Sequence, residues 1–229
     1  MKRAFPILAV LTAALLSYAL YEALVVAPTD AMQGDVYRII YYHVPSAWTM
    51  FVFFIVNFVA SVVYLVRRSA KADAVAVAAA EVGVVFCSVV LVTGPLWARP
   101  VWGIWWTWDV RLTSTLVLWL IYVSYLMLRR FAGGGQMPVL AAALAVFGAL
   151  DMPLVYFSIW FFRTQHPQPV VGGGGSIDPR MLHVWLLNWL AFLCFGGLVF
   201  WSRYRLEVLQ QEVDEAEALQ SLLEPRGAR

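Results

Sequence analysis

The sequence is short of charge. Only 13% of its 229 residues are Asp, Glu, Lys or Arg, while 62% are hydrophobic, which excludes a soluble domain of ordinary composition. Cysteine is nearly absent. Cys87 and Cys194 each lie inside an apolar run, so two small buried hydrophobes are expected, with a single disulfide left open by the sequence. No Cys-x-x-Cys-His occurs, so the chain is not itself a c-type cytochrome. There is no zinc-ligand spacing and no basic cluster, which speaks against nucleic acid. The Walker A glycine loop is missing too, so any ATP hydrolysis belongs to another subunit.

What the chain does have is long apolar runs and tryptophan. Six runs are long enough to cross a bilayer as helices: 5–27, 45–66, 74–96, 112–128, 139–162 and 182–201. Lys2 and Arg3 before the first run imitate a signal peptide. The run is longer than a signal core of roughly 7–15 residues, so it reads as a retained first span. The expected fold is an all-α polytopic membrane protein, with a six-span domain over 1–201 and a tail over 202–229.

Lys and Arg set the expected orientation. With a cytoplasmic N-terminus, that side holds Lys2, Arg3, Arg67, Arg68, Lys71, Arg129, Arg130, Arg203, Arg205, Arg226 and Arg229. The other side holds Arg38, Arg99, Arg111, Arg163 and Arg180. Eleven against five predicts both termini in the cytoplasm. Segments 28–44, 97–111 and 163–181 are then external, with 172–176 a mobile loop tip. In the tail, Leu206, Leu209, Val213, Ala216 and Leu223 recur at helical spacing between acids. That describes a solvated helix or a docking site for a partner.

Five of the eleven tryptophans fall between Trp97 and Trp108. Trp48, Trp160, Trp185 and Trp201 are scattered as an interfacial aromatic belt would be, but Trp102, Trp105, Trp106 and Trp108 are bunched. Helical spacing puts Trp102, Trp105, Trp106 and Asp109 on one face. The expectation is a short external helix that forms either part of the belt or a shelf for a flat apolar ligand.

All three histidines fall on the external side of this topology. Neutral imidazole ligates haem iron, and iron held from both faces needs two of them from different segments. His43, before the second span, and His166, after the fifth, are the candidates. The alternative for each is a hydrogen-bonded interfacial residue, and His183 fits that best. Asp109 is either an N-cap for the fourth span, paired locally with Arg111, or part of the site. Arg38 and Arg111 are candidate partners for the two propionates of a porphyrin. Glu22, Glu81 and Asp151 lie in or near spans, where ionised groups are costly; they would pair with each other or with tyrosines, or be protonated.

The segment from Trp102 through Trp105-Trp106-Thr107-Trp108-Asp109 to Thr113 resembles the Trp-rich "WWD" signature of haem-handling membrane proteins. With Tyr37-Arg38-Ile39-Ile40-Tyr41-Tyr42-His43-Val44-Pro45 and Thr164-Gln165-His166, the chain is similar to the haem exporter protein C (CcmC) family of cytochrome c maturation. The resemblance implies a bacterial inner-membrane protein that is not an enzyme. It implies haem b as a transient cargo on the periplasmic side, with His43 and His166 as axial ligands and the tryptophans cradling the macrocycle. It also implies presentation to the haem chaperone CcmE, alongside the ATP-binding-cassette subunits CcmA and CcmB and the small protein CcmD. The family usually has Leu before the second histidine and Gln after it, where this chain has Gln165 and Pro167. The rival reading is a permease subunit that moves haem or another amphipath within an ABC-type complex.

Overall fold

The computed structural model describes residues 4–131, 137–167 and 177–223. The expected loop tip at 172–176 and the charges of Lys2, Arg3, Arg226 and Arg229 lie outside them. The described residues are helical almost throughout, and six helical segments are long and apolar enough to cross a membrane. The chain is therefore a multi-pass α-helical membrane protein.

Helix α1 (Ala4–Tyr21) ends in a π-turn at Glu22–Val26. A 3-10 lead-in at Asp35–Ile39 runs into α2 (Ile40–Arg67). A two-residue turn follows. Arg68 takes the left-handed conformation (φ 52°), and the Ser69 hydroxyl caps α3 (Ala70–Trp102) by accepting from the Ala72 amide. Helix α4 is Val110–Phe131. The fifth span is two rods, α5 (Met137–Ala149) and α6 (Asp151–Phe161). The sixth is α7 (Pro179–Leu223), 45 residues without interruption.

Several boundaries differ from those read in the sequence, among them the sixth span, which continues unbroken to Leu223. Pro45 does not open the second span; it is the sixth residue of α2, because the helix begins upstream at Ile40, whose side chain is buried with that of Tyr41. The third helix does not stop at residue 96. It continues through Pro95 and Pro100 to Trp102 and ends where Gly103 turns left-handed (φ 77°) and returns its amide to the Arg99 carbonyl at 3.0 Å. The fifth span is broken at Leu150, because Pro153 lacks the amide hydrogen that would bond the Ala149 carbonyl.

The core sits where α2, α3, α4 and α5 meet. Phe54 stacks on Tyr122 with ring centroids 3.9 Å apart and planes 8° from parallel. Gly83 makes this approach feasible, since a Cβ there would lie 2.4 Å from the Phe54 ring. At the arginine-rich end, Arg129 of α4 donates to both Asp73 oxygens of α3, at 3.0 and 2.7 Å, and to Glu207 of α7 at 3.3 Å. Arg129 and Asp73 are only 14% and 8% exposed there, and Arg203 pairs with Glu81 beside them. Three helices are thus fastened at one end. The opposite end carries the histidines and the tryptophan run.

Candidate functional site

His43 does not lie on a loop. It occupies the first turn of α2 and is buried against α3. Its Nδ1 is 2.8 Å from Thr93 Oγ1. That hydroxyl spends its single proton on the Val89 carbonyl at 2.6 Å, so its lone pair faces the imidazole. With the hydroxyl proton on Val89, the tautomer that fits has its hydrogen on Nδ1 and Nε2 as the basic nitrogen. Trp97 meets the His43 ring edge-on at 6.0 Å and is itself held by Gln33, whose Oε1 accepts from Trp97 Nε1 at 2.8 Å. Gly94 lies against the ring, close enough that a Cβ there would be 3.4 Å from His43 Cε1.

His166, half-buried on the loop after α6, has the same polarity by a different route. Its Nδ1 is 2.9 Å from the Pro167 carbonyl, which only accepts, so Nδ1 again holds the hydrogen and Nε2 is basic. Burial, and then the nearby Arg111 charge, push this imidazole down from 6.5 to about 4. It is neutral at physiological pH. Among the described residues, no hydrogen bond engages Nε2 of either ring.

The two histidines share one end of the bundle, and both feel the charge of Arg111. Half-buried Arg111 opens α4 and reaches only the Tyr156 carbonyl, at 3.5 Å; no described carboxylate comes within salt-bridge distance. Such a guanidinium is suited to receive an anion. Arg38 is differently placed. Its donors are committed to the Ala23 carbonyl of the π-turn (2.9 Å), to Asp35 (3.0 Å) and to Thr29 (3.4 Å).

Asp109 ties the loops together. Its Oδ1 accepts from the Leu112 amide at 3.0 Å, the N-cap of α4. Its Oδ2 accepts from Thr107 Oγ1 at 3.0 Å and, across the gap, from the Gln165 amide at 3.3 Å. One carboxylate therefore starts a helix and also fastens the residue before His166 to the tryptophan loop.

The single flat helix expected for the tryptophans does not form. Trp102 ends α3, Gly103 breaks the helix, and Trp105, Trp106 and Trp108 follow on extended chain, so Trp102, Trp105, Trp106 and Asp109 share no helical face. Trp105 and Trp108 stand 56% and 77% exposed. Trp106 meets Trp108 edge-on at 5.8 Å, and its buried indole nitrogen has no partner among the described residues. Arg99 lies over the Trp105 ring at 5.9 Å and bonds the Gly103 carbonyl.

Of the tryptophans read as a belt, Trp160 and Trp201 are substantially exposed. Trp48 and Trp185 instead stack on each other at 5.2 Å between α2 and α7, because these helices pack closely there. His183 is exposed in the first turn of α7. Of the membrane acids, Glu81 pairs with Arg203. Asp151 lies at the break of the fifth span, with one buried oxygen unpartnered among the described residues. Sequence reasoning missed Thr93, Gln33 and Gly94, since a lone hydroxyl or glycine in an apolar run gives no sign of the ring it supports.

The chain resembles known proteins over nearly its whole length. The family model described as heme exporter protein C matches residues 1–219. Heme exporter protein C of Bradyrhizobium diazoefficiens is 38% identical, over 96% of this chain and 84% of its own. Heme exporter protein C of Escherichia coli is 37% identical, over 81% and 76%. A putative cytochrome c biosynthesis ccmC-like mitochondrial protein of Marchantia polymorpha is 35% identical, over 81% and 80%. A family match over residues 1–219, with relatives 35–38% identical across most of the chain, places this six-span helical protein in the heme exporter protein C family.

Proposed function

We propose that this protein handles haem for cytochrome c maturation, holding it at the tryptophan-rich end and presenting it to a chaperone. His43 and His166 are the axial ligands. Trp102, Trp105, Trp106 and Trp108 support the macrocycle, Asp109 holds their loop to the His166 loop, and Arg111 takes a propionate. Arg38 takes the other only by exchanging its present partners. The observation that carries this reading is the matched pair of imidazoles. Each has Nδ1 against an oxygen and, among the described residues, no hydrogen bond on Nε2, as a ligating histidine requires. Both feel the charge of Arg111, which has no described carboxylate within salt-bridge distance.

Haem b is a cargo, and no catalytic residue is assigned to this chain. Covalent capture belongs to CcmE, and ATP hydrolysis to the CcmA and CcmB subunits that work with CcmD. By the distribution of Lys and Arg, the arginine-rich end and both termini face the cytoplasm. The haem end then faces the periplasm from a bacterial inner membrane.

Absorption spectra of the purified protein titrated with haemin, oxidised and reduced, test the reading. The wild type is expected to give a low-spin spectrum. His43→Ala and His166→Ala should each weaken binding at least about tenfold without altering elution from a sizing column. Unchanged spectra in both variants would dismiss bis-histidine ligation.

A further inference from the structure

The C-terminal end of α7 leaves the bundle at Gln211, whose side-chain amide donates to Asp73 at 3.2 Å. Every residue from Glu212 to Leu223 is exposed. A helix this short and unsupported is marginal in water by itself. Its apolar residues are nevertheless ordered. Leu206, Leu209, Val213, Ala216, Gln220 and Leu223 recur in alternating steps of three and four, the repeat of a two-stranded coiled coil with one polar position in its seam. Leu206, Leu209, Val213 and Leu223 are 49–76% exposed, and none of the four belongs to a core cluster.

Charge selects the occupant. From Leu206 to Leu223 the chain has five acids, Glu207, Glu212, Asp214, Glu215 and Glu217, and no Lys or Arg. A second copy is disfavoured, because parallel pairing of this seam sets Glu212 opposite Glu217 and antiparallel pairing also brings acids together. An anionic lipid surface is disfavoured because it repels such a helix. A helix with apolar residues facing the seam and Lys or Arg on its flanks satisfies both the hydrophobic row and the charge. We infer that Leu206–Leu223 is a docking helix for a basic amphipathic helix of a partner protein.

The full chain in phosphatidylcholine nanodiscs can be titrated with fluorescent three-heptad peptides that have Leu in the seam and either Lys or Glu on the flanks. The Lys peptide is expected to bind and the Glu peptide to fail. Leu209→Asp with Val213→Asp adds negative charge yet should weaken the Lys peptide at least about tenfold, since the seam is lost. Glu212→Lys with Glu217→Lys should reverse the preference. Equal binding of both peptides, or full affinity in the Asp variant, would overturn the inference. So would Val213→Cys chains that cross-link to one another without peptide. Hydrogen exchange over 212–223 slowed equally by phosphatidylglycerol alone would overturn it too.

Discussion

Nδ1 of His43 and Oγ1 of Thr93 stand 2.8 Å apart, on two helices joined by a two-residue turn at the other end of the bundle. The hydroxyl fixes which nitrogen of the ring carries the proton, and thereby which is left to bind. That makes Thr93 a positioning residue for the proposed ligand.

Replacing Thr93 by Val keeps the shape and removes the acceptor. Haemin affinity is expected to fall about 10- to 100-fold, with Thr93→Ser restoring most of it. A spectral titration reads this directly. Unaltered affinity in Thr93→Val would separate the ring's orientation from this bond.

Arg111 is predicted to act through charge. Arg111→Leu should weaken haemin binding by about 1.5–3 kcal/mol, while leaving haemin dimethyl ester, whose propionates are uncharged, nearly as well bound as by the wild type. An equal loss for both forms would mean that the residue supports the fold instead.

His166 sets a pH dependence. Burial and the Arg111 charge hold its folded-state pKa at about 4, below the ordinary 6.5, while the Pro167 carbonyl and Asp109 pull the other way. Unfolded chain therefore binds a proton that folded chain does not between those two values. The contribution of this residue to stability is complete above about pH 6.5 and declines as pH falls toward 4. Its ring resonance in histidine-labelled protein should stay fixed from pH 7.5 to 5 and move only near 4; titration near 6.5 would contradict the burial.

Gly83 should tolerate no side chain. A Cβ would stand 2.4 Å from a ring that Tyr122 already backs at 3.9 Å, so Phe54 cannot step aside cheaply. Gly83→Ala is expected to cost about 1–3 kcal/mol, read as a lower thermal midpoint in detergent.

The six crossings were legible in the sequence because lipid demands long uninterrupted apolar helices, and residues such as Val85 and Phe86 advertise one wherever they cluster. The ends were less legible. Pro45 is favoured at the start of a helix, yet α2 begins earlier because Ile40 and Tyr41 bury their side chains. The tryptophan run has helical spacing, but Gly103 adopts φ 77° and Asp109 caps the next helix, so the chain between them is extended. His43, His166 and Arg111 were readable as residue types, although His43 stands inside α2 and not on the segment before it. Their supports were not, because Thr93 and Gly94 matter only through a neighbour fifty residues away in the chain.

The unbroken length of α7 has a structural consequence. Forty-five residues at 1.5 Å each make a rod of about 68 Å, more than twice the thickness of a hydrocarbon layer of about 30 Å. It starts at Pro179, beside the Asp178 cap, and no proline interrupts it afterwards. One unbroken element therefore runs from the end that carries the histidines to well past the Arg129–Asp73 clamp, so both ends of the bundle are built on the same helix.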